Sequence, residues 1–250
     1  MDAVELYDPD NHWRHRHPLE KALFAGGMLM LAVALQPGII TALLLLLMTA
    51  AALVGARVSW RRFLGGLAVP AGFLLTGTLP ILVSIGWEKE NVWPTLTLNG
   101  VAAGRVFVRG LAATSCLIFF ATTTSLPDIL GLLRVARCPE FLVELMMLTY
   151  RFALALVQTA RSVRLAQRLR LGYISRRAEF RSFGLLATNL LPRSLELAKR
   201  LARGLETRGY DGQLPVLFSA RQLSWPLIAA ILGVELALAG LGIVAARGGA

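Results

Sequence analysis

Residues 39–56 read Ile-Ile-Thr-Ala-Leu-Leu-Leu-Leu-Leu-Met-Thr-Ala-Ala-Ala-Leu-Val-Gly-Ala, a run with no charged residue. Such a run constrains the fold more than any motif. A helix crossing the hydrocarbon core needs about 20 predominantly apolar residues, with a range of about 17–25. In lipid every backbone N–H and C=O must be satisfied within the protein, which a single helix achieves by itself. Similar runs fall at residues 22–35, 65–85, 100–124 and 223–246, the first reaching span length only if 19–21 join it. Only 16% of the chain is charged, against about 25% in soluble domains. The expected fold is an all-α integral membrane protein.

The charges read as a topology signal. The net charge is +11, and the basic residues collect at the ends of apolar runs, as they do in cytoplasmic loops. This distribution favours a membrane over nucleic acid as the reason for the charge. Arg57, Arg61 and Arg62, with Trp60, mark one inner boundary. Residues 86–99, with Trp87, Glu88, Glu90 and Trp93, belong outside. Residues 161–211 hold twelve Arg/Lys against four Asp/Glu and belong inside again. With Arg14, Arg16 and Lys21 also inside, the consistent count is about five transmembrane helices. Residues 139–158, apolar but carrying Glu140, Glu144 and Arg151, then form a long helix at or below the inner interface. Six spans, with the N-terminus outside, is the alternative. The expected organisation is an N-terminal cytoplasmic tail (1–21), transmembrane helices 1–4 (22–124), a cytoplasmic or interfacial helical region (125–222), and the last span with its tail (223–250). The polar, acidic first twenty residues carry no leader pattern, so no cleaved signal is expected.

Single residues in this frame have plain readings. Cys116 lies in an apolar span and Cys138 in a basic loop, so free thiols are expected rather than a disulfide or a metal pair. His12, His15 and His17 cluster in the tail; clustered His can bind metal, but the spacing fits no recognised ligand set, and a solvated tail is the plainer reading. Arg105 and Arg109, spaced i,i+4, share one face of the fourth span. They are expected to snorkel or to pack against a neighbouring subunit rather than to line a transport path. Glu235 in the last span reads as a polar contact to another helix. No Gly-rich phosphate loop, nucleophile elbow, His-Glu-x-x-His, Cys-x-x-Cys or paired intramembrane carboxylate occurs. No catalytic residue, cofactor or metal site is therefore expected.

The basic block contains two similar segments, Ala166-Gln-Arg-Leu-Arg170-Leu-Gly172-Tyr173 and Gly204-Leu-Glu-Thr-Arg208-Gly209-Tyr210. Each is a helix-like run with an Arg in its last turn, stopping at Gly and Tyr. The first helix is expected to run to about Leu171. Residues 175–192 read as a connector, with Pro192 opening the next helix. There Leu195, Ala198, Leu201, Ala202 and Leu205 make an apolar stripe. Gly209 ends that helix as a left-handed cap, which puts Arg208 at the negative end of the dipole.

The chain resembles the transmembrane T components of energy-coupling-factor (ECF) ABC transporters, cobalt-type CbiQ branch. The resemblance rests on His17-Pro18-Leu19-Glu20-Lys21, where the family reads Asp-Pro-Arg-x-Lys. It rests also on Thr122-Thr-Thr-Ser-Leu-Pro127-Asp128, on Leu148-Thr149-Tyr150-Arg151-Phe152, and above all on Leu205-Glu206-Thr207-Arg208-Gly209-Tyr210. It implies a non-catalytic scaffold in the bacterial inner membrane with two cytoplasmic coupling helices, each bearing an x-Arg-x motif that docks in one of two ABC-type ATPase subunits. The motifs fall on Leu169-Arg170-Leu171 and Thr207-Arg208-Gly209. Ala202-Arg203-Gly204 matches the family's Ala-Arg-Gly wording but lies early relative to the helix stop, which leaves Arg203 secondary. Further implied partners are a cobalt- or nickel-binding membrane S component, a small auxiliary membrane subunit and lipid, with no nucleic acid. A lipid-active membrane protein, or a membrane anchor with a basic patch, are the alternatives.

Overall fold

The computed structural model of the chain describes residues 11, 13, 16–35, 38–86, 95–210 and 223–248. His12, His15, Gln36 and Pro37 of the first expected turn, loop residues 87–94 and the connector around 213–221 lie outside them. The described helices are α1 (Pro18–Ala34), α2 (Gly38–Ala50, extended by a π-helical stretch Ala51–Gly55), α3 (Trp60–Leu82), α4 (Gly100–Thr123), α5 (Leu126–Val135), α6 (Glu140–Leu169), α7 (Arg176–Glu206) and α8 (Trp225–Gly248). Four stretches among the described residues are long and apolar enough to cross a membrane: Gly38–Gly55, Trp60–Leu82, Gly100–Thr123 and Trp225–Ala245. α1, with 17 residues, extends roughly 26 Å at 1.5 Å per residue, the lower limit for a span. The chain is a predominantly helical, multi-pass membrane protein. α6 is not among the four stretches, and Glu144 and Arg151 interrupt its apolar part.

Two compact units make up the chain: Met1–Ile129 with Ser219–Ala250, and Leu130–Phe218. In the first, α1, α2 and α3 each pack on α4, and α1 also meets α8. α4 can be central because its buried face is built largely of small residues, Ala103, Ala112, Ser115 and Cys116, and small residues let helices in lipid approach closely. At Gly110 of α4 an added Cβ would stand 2.5 Å from Leu74 of α3. The hydroxyls on α4 bond back to their own helix, Ser115 Oγ to Ala112 O at 2.7 Å and Thr123 Oγ1 to Phe119 O at 2.7 Å, so no water is needed to satisfy them. Met28, Leu44, Met48, Phe63 and Phe119 form the core, each at most 1% exposed. Trp13, Phe24 and Phe119 close one end of it, with ring centroids 5.4–5.9 Å apart. Of the described residues before α1, Asn11 is buried and Trp13 belongs to this cluster, neither lying free in solvent. Cys116 and Cys138 are both free thiols.

At the far end of α3 the structure departs from the expected loop. Val83–Gly86 and Thr95–Leu98 form two short antiparallel strands, β1 and β2, with Val83 opposite Leu98 and Gly86 opposite Thr95. The third span had been expected to continue to Ile85. β-Branched residues at alternate positions, Val83 and Ile85 in one segment and Thr95 and Thr97 in the other, favour strand pairing once α3 stops.

In the second unit, α6 and α7 pack against each other. α7 corrects the expected connector and helix start: it is one helix from Arg176 to Glu206, with Pro192 inside it. Proline removes a backbone donor. Here the carbonyl deprived of its helical donor is that of Thr188, four residues back. Ser175 caps the helix start, its Oγ accepting from Ala178 N at 3.3 Å.

Candidate functional site

The two arginine-bearing helix ends share one backbone geometry. At the end of α6, Leu171 N–H donates to Arg168 O at 3.0 Å and Gly172 N–H to Gln167 O at 2.9 Å. At the end of α7, Gly209 N–H donates to Glu206 O at 3.1 Å and Tyr210 N–H to Leu205 O at 3.1 Å. These paired bonds, together with a left-handed residue, make a Schellman stop. The left-handed residue is Leu171 in the first (φ 61°) and Gly209 in the second (φ 74°). Arg170 and Arg208 thus occupy the same position, immediately before the reversal. The resemblance between the segments holds when they are aligned on the arginines, not on the Gly-Tyr pairs.

Gly209 takes the conformation expected of it. At the first end the expectation shifts: α6 stops at Leu169, short of the expected Leu171, and Leu171 turns left-handed. Gly172 is needed for a different reason. An added Cβ there would meet Ser182 Oγ at 2.7 Å and the Gln167 carbonyl oxygen at 3.0 Å. Ser182 Oγ donates to Gly172 O at 2.7 Å, Gln167 Nε2 to Ser182 O at 3.0 Å, and Tyr173 OH to Gln167 Oε1 at 2.9 Å. The Arg164 guanidinium lies over the Tyr173 ring at 5.7 Å. At the other end Tyr210 OH donates to Glu144 Oε1 of α6 at 2.6 Å. The tyrosine after each glycine thus fastens its helix end, by a different partner in each case. The sequence assigned no partner to Gln167, Ser182 or Glu144, because nothing local shows which distant hydroxyl or amide will meet them.

The site is cationic and open. Arg170, Arg208 and Arg203 are exposed, and among the described residues none of the three guanidinium groups has a hydrogen-bond or ion-pair partner. Arg200 differs. Its Nη2 lies 2.6 Å from Glu196 Oε1, and that hydrogen bond and charge hold the Glu196 carboxyl below the usual range. Arg203 lies within α7, not at its stop; five positions at 100° each turn it about 140° away from Arg208. Beside Arg170 opens a cleft of about 460 Å³ between α6 and α7, to which Val163, Gln167, Ser182, Asn189 and Arg193 contribute. Leu169 and Leu171, flanking Arg170, are 78% and 66% exposed. The apolar stripe of α7 is uncovered too, with Leu195 and Leu201 both exposed.

A left-handed leucine, here 66% exposed, carries a cost of about 1–2 kcal/mol. Leu171→Gly is accordingly expected to stabilise this turn by about 0.5–1 kcal/mol after the extra chain entropy of glycine is discounted. Thermal unfolding of the purified protein measures it.

Other marked residues have structural partners. Arg109 Nε donates to Ala32 O in the last turn of α1 at 3.2 Å. α1 has no basic residue of its own there, so Arg109 supplies the cation its carbonyl end favours. Within the chain it thus ties α4 to α1. Arg105 lies against Gly38 at the start of α2. His17 Nδ1 accepts from Leu19 N–H at 3.2 Å and caps α1. The Glu235 carboxylate sits over Gly27 of α1, and its Oε1 is buried without a hydrogen-bond partner among the described residues. Among those residues no three His, Cys, Asp or Glu gather as a metal set.

Residues 10–219 match the CbiQ family, described as "Cobalt transport protein". A "Cobalt transport protein CbiQ" of Rhodobacter capsulatus is 38% identical over 97% of this chain and 98% of its own length. A protein of the same description from Salmonella typhimurium is 31% identical over 85% of this chain and 98% of its own. A "Putative fused cobalt transport protein CbiMQ" of Methanocorpusculum labreanum is 29% identical over 65% of this chain and 28% of its own length.

Proposed function

The chain belongs to the CbiQ cobalt transport protein family, and from that premise we propose that it is the coupling subunit of an ECF-type ABC importer for cobalt or nickel ions in the bacterial inner membrane. Two separate ABC-type ATPase subunits hydrolyse ATP. Leu169-Arg170-Leu171 docks on one and Thr207-Arg208-Gly209 on the other, with Arg203 a secondary contact. Their closure moves α6 and α7, and through them the membrane helices that face a substrate-binding S component. The chain performs no covalent chemistry. Its work is rigid-body transmission.

One observation carries the reading: Arg170 and Arg208 stand at the same position of two matching helix stops, both exposed and both without an intrachain partner among the described residues. An arginine fork on a fixed backbone suits an acidic groove or a set of carbonyls. Two such ends on one chain suit a motor with two copies of one groove. The uncovered leucines beside Arg170 and along α7 fit surfaces that a partner completes. The fused CbiMQ relative supports a second cobalt-transport component in the same membrane, and a small auxiliary subunit completes the assembly.

The test is composition. Expressed with the ATPase subunits of its transporter and purified through a tag on this chain, the complex is expected to contain two ATPase protomers per chain at moderate salt. Recovery of the chain without ATPases would overturn the proposal. Recovery of lipid or nucleic acid released steeply by salt would favour a basic anchor instead.

A further inference from the structure

Glu20 and Lys21, adjacent in the first turn of α1, are both fully buried. Burying a charged side chain is costly unless polar partners compensate it; both residues have such a partner, while the second Glu20 oxygen, Oε2, is buried without one among the described residues. Neighbouring positions on a helix point about 100° apart, so the two residues reach different elements. Lys21 Nζ donates to Thr123 O at 2.8 Å. Thr123 is the last residue of α4, where carbonyls lack intrahelical donors and the dipole is negative. Glu20 Oε1 accepts from both the N–H and the Oγ of Ser224, each at 2.7 Å. Ser224 O in turn accepts from Leu227 N–H and Ile228 N–H, so Ser224 opens α8, at the positive end of that helix. Asn11 Nδ2 adds a 3.4 Å bond to Thr122 O.

These two grips have a special place in the chain. The path leaves for the second unit after Ile129 and re-enters the first at Ser219. Thr123 ends the helix before the departure, and Ser224 opens the helix after the return. One dipeptide holds both covalent connections to the unit that carries Arg170 and Arg208. We infer that Glu20 and Lys21 are positioning residues that fix both connections to α1, so that displacement of the arginine-bearing unit is delivered to the membrane helices and not absorbed at its two junctions. This rests on the coupling function proposed above. A role confined to stability would ask only for a buried contact. The structure instead shows two opposite charges, each matched to the helix end it holds.

The experiment uses the complete complex in proteoliposomes with cobalt as the transported ion, and compares Glu20→Gln, Lys21→Met and the double variant with the unsubstituted chain. The double variant is expected to keep its ATPases and continue hydrolysis while cobalt transported per ATP falls about tenfold, the scale on which residues between coupled sites act. Glu20→Gln keeps an acceptor for Ser224 and is expected to fall less. If the residues only stabilise the fold, transport and hydrolysis drop together with the amount of intact complex, and an unchanged cobalt-to-ATP ratio overturns the inference. Amide hydrogen exchange on the purified chain gives a second readout that needs no ATPase. Exchange is expected to quicken about five- to tenfold at residues 120–124 and 224–228, as when a helix cap is lost, while α2 keeps its protection. Unchanged exchange at both ends overturns the clamp whatever the complex does. Absence of ATPases from the unsubstituted complex would count against the coupling function instead, and the exchange result would still decide the clamp.

Discussion

Arg170→Glu combined with Arg208→Glu is expected to strip the ATPases from the purified complex and reduce cobalt uptake to background. Reversing a charge that pairs with a buried partner group costs about 2–5 kcal/mol at each contact. Two contacts on one chain also act jointly, so the pair loses more than either alone. The fold should survive. Both side chains are exposed, neither has a partner among the described residues, and both helix stops are held by backbone bonds that the substitution leaves in place. Arg200→Glu is the matched control: it carries the same charge change on the same helix, but Arg200 already pairs with Glu196. A basic lipid-binding patch would treat all three positions alike, and a complex that retains active ATPases with both arginines reversed would sink the coupling assignment. Arg203→Glu, facing elsewhere on α7, is expected to have the smaller effect of a rim contact. Leu171→Gly joins this series with the opposite sign on stability: a firmer turn with weaker ATPase retention would show that the strained leucine serves a partner.

Phe119→Ala is expected to destabilise the membrane unit by about 3–5 kcal/mol, seen as an earlier thermal transition in detergent and a lower yield of folded protein. Phe119 is fully buried on α4, and its ring meets Trp13 at 5.4 Å and Phe24 at 5.5 Å, both edge-on. Truncation removes both contacts and leaves a void where α1, the segment before it and α4 converge. Leu117→Ala, two positions away but 55% exposed, should have little effect. Equal losses at both positions would mean that α4 is not the packing centre. The folded fraction of Phe119→Ala should still hold its ATPases, because Arg170 and Arg208 belong to the other unit.

Much of this was legible from residues alone. The uncharged run at 39–56 became Gly38–Gly55, the fourth span was placed within one residue of its observed end, and Gly209 took the left-handed turn expected of it. Those are local matters. Helix formation in lipid follows from apolar length and backbone satisfaction, and a glycine at a helix end needs no distant partner. The errors were also local rules, applied where a neighbour decided otherwise. Pro192 looked like a helix start, yet α7 runs through it from Arg176 to Glu206. The first helix was expected to run to about Leu171, yet α6 stops at Leu169 and Leu171 itself turns left-handed.

By itself the sequence determined the class of molecule, the location of its apolar helices and the two arginines that mark its helix ends, because composition, period and capping residues act within a few positions of the chain. Only the tertiary structure decided what Glu20, Lys21 and Arg109 do, and that Arg170 and Arg208 are geometric equivalents. A buried charge or a helix-end carbonyl is satisfied by whichever group packing brings within about 3 Å. For Lys21 that group is Thr123, and for Glu20 it is Ser224, residues far along the chain that no local pattern connects.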